Sequence, residues 1–393
     1  MFENKVKKEC RVHNQTARNV RYARSVCVDD FIGCSQGDLL ITGGDVTERA
    51  KAVAHVVLNI MSDNPQPIVI FSNSQILKEF LMDYAKDDLM GQLIVSDKQY
   101  KNYDIFAGMS IETVTNYFCK ASEIYRFNVE LTTAYAYAFL SIVSRMNGNY
   151  LDMRTITEFA GLSQNDFTND ISDSEYQMLM SAVGGASNFK IILANTRQAF
   201  STISNYACST GFNMTTAAVD AARTIYIHTE SMNTNLMRQY FWNEMFSISD
   251  RHMTIVFDEC IFLNDPEFQA FLSSLKDRAN INIIVSAGDN ASIINDDFTR
   301  NFRRYMVFLG TPTPQLQSLL SNFGEYTHFD PGIGVAAPPT LVPTLVRGHQ
   351  RHIITYSRAR VRLEEESENS IVLVGHNGAE ILISKYFTFV TIQ

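Results

Sequence analysis

Apolar residues along this chain fall into short unbroken runs that alternate with stretches of helical period. Asp38-Leu39-Leu40-Ile41-Thr42 predicts a buried strand ending at Gly43-Gly44. Ala50, Val53, Ala54, Val57, Leu58 and Met61 then recur on one helical face. Pro67-Ile68-Val69-Ile70-Phe71 predicts a second strand, Gln75 to Tyr84 a helix, and Gln92-Leu93-Ile94-Val95 a third strand. Alternation over short connections is the pattern of a parallel sheet covered on both faces.

From Ile111 to Val183 the period changes. Val114, Tyr117, Phe118, Ala134, Tyr137, Ala138, Ile142 and Met146 keep helical spacing without a strand, which predicts an all-α insertion. Ser163, Asp166, Asp170 and Asp173 are expected among its short helices, and a long helix is expected over Phe189 to Tyr206. Strands then return at Thr224 to His228, Met253 to Phe257, Asn282 to Ser286 and Arg304 to Leu309. Helices are expected between them at Asn235 to Ile248 and Glu267 to Asn280. Pro331 to Pro343 reads as a loop, and Ile371 to Val374 with Ala379 to Ile383 as a hairpin around Asn377-Gly378.

Composition narrows the class. A chain of 393 residues can bury a large core and form more than one domain. A net charge of -9 argues against a surface built to coat DNA. Basic residues do gather at the start (Lys5, Lys7, Lys8, Arg11, Arg18, Arg21, Arg24) and again at Arg347, Arg351, Arg358, Arg360 and Arg362, where solvated surface is the plainer reading. Cys10, Cys27, Cys34, Cys119, Cys208 and Cys260 are scattered without metal-ligand spacing, as expected of reduced thiols in a cytoplasm. The most apolar helical stretch, Ala134 to Val143, is about half of the ~20 residues needed to cross a bilayer. Membrane association is therefore expected only through partners.

Three places could carry chemistry. A strand, a glycine turn and a helix converge on phosphate when backbone N–H groups face an anion. Here that segment is Gly43-Gly44-Asp45-Val46-Thr47-Glu48-Arg49-Ala50. Set against G-x-x-x-x-G-K-[ST], Gly43 keeps the first glycine, with Gly44, Thr47 and Arg49 as the remaining phosphate candidates. Glu48 replaces the second glycine, Arg49 the lysine and Ala50 the hydroxyl residue that would hold Mg²⁺. Asp45 and Glu48 bring negative charge to the phosphate position, and either is an alternative partner for Arg49. The second place is Asp258-Glu259, two carboxylates ending an apolar strand, where an Asp can orient Mg²⁺ and a Glu can polarise water. The third is Arg278, a cation before the next strand, which the helix dipole alone would also favour. His228 and His252 lack partners at any catalytic spacing.

The order of these parts resembles the coupling-protein ATPases of bacterial conjugation and type IV secretion (the TraG/TraD family), related more distantly to the FtsK and HerA translocases. The likeness runs through Leu39 to Gly44, Pro67 to Phe71, the helical insertion, Gly185-Ala186-Ser187 through Thr224 to Ile227, and Val256-Phe257-Asp258-Glu259. It continues through Arg278 with Ile283-Ile284-Val285 and the closing Ser370 to Val374 and Lys385-Tyr386. The resemblance implies an α/β fold of RecA-like, P-loop-NTPase type, with a mostly parallel sheet and an inserted all-α domain. It divides the chain into residues 1–110, an all-α insertion at 111–190, and 191–393 with the C-terminal hairpin. It implies Asp258 as the Mg²⁺-associated acid, Glu259 as the catalytic acid and Arg278 as the following arginine. It also implies a hexameric ring, DNA or protein transfer, and partner docking through the insertion.

Several departures accompany the likeness. Glu48 and Ala50 break the phosphate loop, Phe71-Ser72-Asn73 stands where the family carries a polar pair, and Gly288-Asp289 stands where a Gln is expected. The N-terminal membrane helices of many members are absent from this sequence. The expectation is a cytoplasmic, non-hydrolysing component of transfer or secretion machinery that lies at the inner membrane face through partners. No cofactor is expected, or ATP with Mg²⁺ if the loop is competent. The alternatives are an active DNA-translocating ATPase with an atypical loop, and an accessory protein that binds single-stranded DNA.

Overall fold

The computed structural model describes residues 38–63, 66–84, 92–162, 171–207, 211–216, 223–229, 252–276, 280–288, 304–309, 325–336, 344–355, 370–374 and 381–384, with Tyr240, Glu244, Met245, Ile248 and Phe302. The chain divides into two compact units. The first comprises Met1–Ile60, Leu263–Lys276 and Asn282–Gln393, and the second Met61–Phe262 and Asp277–Ile281.

In the first unit, strand β1 (Leu39–Gly43) is buried at every position and leads into helix α1 (Val46–Asp63). Its partners are late in sequence. It pairs in parallel with β6 (Ile281–Ala287) and with β7 (Arg304–Leu309), in register Leu40↔Val285 and Leu40↔Tyr305. Asp38 pins the start of all three strands: its Oδ1 accepts from the Ile283 N–H and its carbonyl from the Arg304 N–H, both at 3.0 Å. Strand β10 (Ser370–Val374) lies antiparallel to β7 and pairs with β11 (Ile381–Ser384), as the hairpin pattern predicts. Helix α8 (Pro266–Lys276) completes the described helices of this unit.

In the second unit, β2 (Ile68–Ser72) runs parallel to β5 (Met253–Asp258) on one side and to β4 (Thr224–His228) on the other. Strand β3 (Leu93–Ser96) adds in parallel beside β4. Helix α2 (Gln75–Tyr84) links β2 towards β3. Strands β2, β4 and β5 are buried throughout, which is why their sequences are apolar runs and do not alternate. The α/β class with a mostly parallel sheet is the one the sequence predicts.

Between β3 and β4, the described residues from Ile111 to Ala199 form helices and no strand: α3 (Ile111–Tyr125), α4 (Val129–Met146), α5 (Met153–Gly161), α6 (Asp173–Ser181) and α7 (Ala186–Ala199). Their starts are set locally. Ser110, Asn128, Asp152 and Ser172 each accept from a backbone N–H three residues on, and Ser172 with Glu175 forms a reciprocal capping box. The helices join through aromatic packing around Phe189, whose ring lies 4.3 Å from Phe118 and 5.0 Å from Phe139, centre to centre. Gly185 lets α7 begin against the backbone of Leu131, where a Cβ would overlap the Leu131 carbonyl.

Three expectations change. The helix expected over Phe189 to Tyr206 is Ala186–Ala199. Beyond it the chain turns so that Ser204 bridges Asn102, and this long-range pairing overrides helical propensity. The helix expected over Glu267 to Asn280 is described as Pro266–Lys276, residues 277–279 lie outside the described residues, and Asn280 is not helical: its carbonyl accepts the Met253 N–H at 3.0 Å. Pro331 to Ala336, expected as loop, belongs to β8 (Glu325–Ala336), which pairs antiparallel with β9 (Thr344–Thr355). A two-stranded ribbon has only edges, and an edge strand tolerates proline. Ser163, Asp166, Asp170, the basic N-terminal residues and most of Asn235 to Ile248 lie outside the described residues.

Candidate functional site

The glycine turn of the first unit has a geometry that its sequence requires. Gly43 and Gly44 have φ of 76° and 61°, left-handed values that favour glycine. Space is as demanding as conformation. A Cβ on Gly43 would overlap the Phe308 carbonyl oxygen, and one on Gly44 would overlap the Glu48 carboxylate.

The turn is closed by its own side chains. Asp45 Oδ1 accepts from the Glu48 N–H at 2.7 Å, and Glu48 Oε2 accepts from the Asp45 N–H at 3.1 Å. This reciprocal pair is a capping box, and it sets carboxylates on N–H groups that would otherwise face an external anion. Arg49, buried at 5% exposure, fills the other side. Its Nη1 donates to the carbonyls of Gly43 (2.9 Å) and Gly44 (2.8 Å). The pairing of Arg49 with Asp45 or Glu48 that the sequence suggested gives way to these carbonyls, because the two N–H bonds of Nη1 can reach two adjacent acceptors at once. Thr47 is half-buried on the first turn of α1, and Ala50 is fully buried.

In the second unit, the carboxyl ends of β2, β4 and β5 bring together a polar cluster. Asp258, at the end of β5, is fully buried, and its Oδ2 accepts from Ser72 Oγ at 2.7 Å. Strand register explains the contact, since Ser72 and Asp258 are cross-strand partners. Ser72 Oγ also accepts from the Ser74 N–H at 2.9 Å. The Tyr226 hydroxyl donates to the Ser74 carbonyl at 2.8 Å and lies 3.4 Å from His228 Nδ1. Burial, opposed by its bond with Ser72 and reinforced by the Asp258 charge, pushes the Tyr226 phenol well above its ordinary range.

Glu259 follows with φ of 53°, a left-handed value uncommon outside glycine. The next residue turns inward: Cys260 Sγ donates to the Phe71 carbonyl at 3.1 Å, and burial pushes its thiol up. Glu259 is therefore left half-buried at the strand end while its neighbours on both sides are buried. Arg278 lies outside the described residues.

Sequence reading missed Ser72, Ser74, Tyr226, Thr229 and Cys260 as one group with Asp258. The available signal was that Ser72, Ser74, Thr229 and Cys260 stand at or just beyond the carboxyl end of a predicted parallel strand, where α/β sheets gather ligands, whereas Tyr226 lies mid-strand and carried no such signal. It also missed Glu244, fully buried, whose carboxyl is hydrogen-bonded to the Tyr103 hydroxyl and accepts from the Met214 N–H at 2.6 Å. Burial raises this carboxyl to about 8, against the lowering effect of the Tyr103 and Met214 bonds. Among the described residues no group of His, Cys, Asp and Glu is arranged to hold a metal ion, and no helix is long and apolar enough to cross a membrane.

No protein-family model matches the chain, and no curated protein matches it. Among solved structures it is similar to the bacterial conjugative coupling protein TrwBdeltaN70 in an unbound form, at 13% identity and a TM-score of 0.48, over 98% of this chain and 97% of that one. It is also similar to the plasmid coupling protein TrwB in complex with the non-hydrolysable GTP analogue GDPNP, at 13% identity and a TM-score of 0.48, over 99% and 94%. VirB4 of Thermoanaerobacter pseudethanolicus is similar at 13% identity and a TM-score of 0.43, over 73% and 81%.

Proposed function

We propose that this chain is a coupling-protein-like component of a bacterial conjugation or type IV secretion system, with a RecA-like fold that serves as a scaffold and does not hydrolyse ATP. The family reading comes from the order of parts along the sequence. The loss of hydrolysis is supported by one observation above all: Asp45 and Glu48 cap each other's backbone N–H groups while Arg49 bridges the Gly43 and Gly44 carbonyls. A nucleotide entering there would have to displace two carboxylates from the helix N-terminus and would meet no hydroxyl at Ala50 to hold Mg²⁺.

Asp258 and Glu259, the family's two acids by position, take structural parts in this reading. Asp258 is an acceptor for Ser72, and Glu259 terminates β5 in a left-handed turn. The helical segment 111–190 is the part that docks other proteins of the machinery, and any membrane contact runs through them.

The turn is tested by titrating ATP with Mg²⁺ into the purified chain. Any saturable heat from the wild type is expected to persist unchanged in Arg49→Ala, so that none of it comes from the glycine turn. A triple change, Glu48→Gly with Arg49→Lys and Ala50→Thr, is expected to create micromolar binding. Wild-type binding that disappears in Arg49→Ala would overturn the proposal. The biological half is tested by complementing a deletion in the host element. The Glu259→Gln variant is expected to restore transfer in full, and a folded variant that fails to do so would count for an active ATPase.

A further inference from the structure

The loop after β3 in the second unit presents Lys98, Gln99, Tyr100, Lys101 and Asn102 consecutively at the surface, with Tyr100 40% exposed. Cations interleaved with an aromatic ring are the composition of surfaces that hold phosphate and stack a base. The loop is also built to keep its shape. Asp97 Oδ1 accepts from the N–H groups of Gln99 (2.8 Å) and Tyr100 (2.7 Å), and the Asp97 N–H donates to the Tyr100 carbonyl at 3.0 Å. Asn102 Nδ2 donates to the Val95 carbonyl at 3.2 Å, and Lys101 Nζ to the Ser201 carbonyl at 2.8 Å. Gly211 lies so close to Asp104 that a Cβ would overlap its side chain, which lets the second wall approach.

Together these segments border an open polar groove of about 310 Å³ lined by Lys98, Tyr100, Lys101, Asn102, Asn205 and Gly211. That volume is at the small end of ligand pockets and suits one nucleotide. The groove opens just past the carboxyl end of a parallel strand, the usual ligand position in such sheets. Among the described residues, the adjoining carboxylates Asp97 and Asp104 do not line it and are engaged elsewhere. Asp97 is buried against Lys78 Nζ at 2.8 Å, and Asp104 accepts from the backbone N–H groups of Phe106 and Met153.

We propose that this pocket binds a nucleoside phosphate, with Lys98 and Lys101 meeting the phosphate, Tyr100 stacking on the base, and Asn102 and Asn205 offering polar contacts. The nucleotide is either free or one unit of a single strand, since the recognising chemistry is the same. The inference is independent of the glycine turn and of the coupling-protein reading.

Two probes separate the sources: a fluorescein-labelled oligothymidylate of about twelve nucleotides, within the site sizes such grooves cover, and a fluorescent ATP analogue without Mg²⁺. The wild type is expected to bind at least one. Oligonucleotide binding alone marks a strand, and analogue binding marks a free nucleotide. The charge reversal Lys98→Glu with Lys101→Glu is expected to weaken binding by tenfold or more, in the range of losing two phosphate contacts. For the strand, the slope of log affinity against log salt should fall by about 1.4, or ~0.7 for each lysine. Tyr100→Ala should weaken binding about tenfold, as for one lost stack. It should leave the loop intact, because the loop bonds of Tyr100 run through its backbone. Arg49→Ala should leave binding unchanged, which separates this pocket from the glycine turn. Thermal melting confirms that each variant is folded, and the milder Lys98→Gln with Lys101→Gln substitutes for a reversal that is not. Binding of neither probe, or folded variants that bind like the wild type, would overturn the assignment.

Discussion

The hydroxyl of Ser72, at the end of β2, donates to the fully buried carboxylate of Asp258, at the end of β5, across 2.7 Å. A buried carboxylate needs such a donor, and removing it leaves an acceptor whose desolvation is uncompensated. Ser72→Ala is therefore expected to lower stability by about 1–3 kcal/mol. A double-mutant cycle with Asp258→Asn, read from urea unfolding, should return a coupling of at least ~0.5 kcal/mol. Additive effects would show that the two side chains are independent.

Arg49 holds the glycine turn by two charge-assisted bonds to carbonyls. Arg49→Ala should destabilise the protein by about 2–4 kcal/mol, since each bond to a charged group contributes roughly 1.5–3 kcal/mol before relaxation. Arg49→Lys should recover only part of this, because the shorter lysine side chain does not carry its ammonium as far as Nη1. Full recovery by lysine in a denaturant series would count against the bridging role.

The reciprocal cap of Asp45 and Glu48 makes a smaller contribution that can be measured separately. Asp45→Ala should cost about 1 kcal/mol, and Asp45→Asn much less, because asparagine caps a helix nearly as well. Equal losses from the two substitutions would point to charge and not to capping.

Glu259 stands in a left-handed conformation where glycine is at ease. Glu259→Gly is expected to raise the unfolding free energy by about 0.5–1 kcal/mol, less the added entropy of the unfolded chain. A clear loss of stability would show that the side chain anchors the turn.

Glu244 should give the chain a pH-dependent stability. Its carboxyl titrates near 4.5 when unfolded and is raised to about 8 in the fold by burial, so the native state holds the proton more tightly. The stabilising contribution is complete below the unfolded value and is lost as pH rises towards 8, with no further change above it. Asp104, raised from 3.8 to about 6 by burial, adds a loss in the same direction at lower pH. Urea midpoints taken from acid to alkaline pH should fall across this window, and Glu244→Gln should flatten the upper part. An unchanged slope in that variant would remove Glu244 as the source.

The elements of this fold were legible in the sequence because each is written in local order. Continuous apolar runs gave β2, β4 and β7 within a residue of their ends, and Gln75 to Tyr84 gave its helix outright. The misplaced stretches were those where a distant partner decided the outcome. Ser204 leaves its helix to pair with Asn102, and Pro331 joins a ribbon through β9.

The same division applies to the candidate site. Sequence alone determined that Gly43-Gly44 would turn between a strand and a helix and that Glu48 and Ala50 stand where G-x-x-x-x-G-K-[ST] has a glycine and a hydroxyl residue, because these depend on neighbours in the chain. Only the tertiary structure decided that Arg49 bonds to the turn's own carbonyls, that Ser72 meets Asp258 from 186 residues away, and that Glu244 is buried against Tyr103 from 141 residues away. Those contacts follow from strand register and from the need of buried polar groups for partners, neither of which leaves a periodic trace in the sequence.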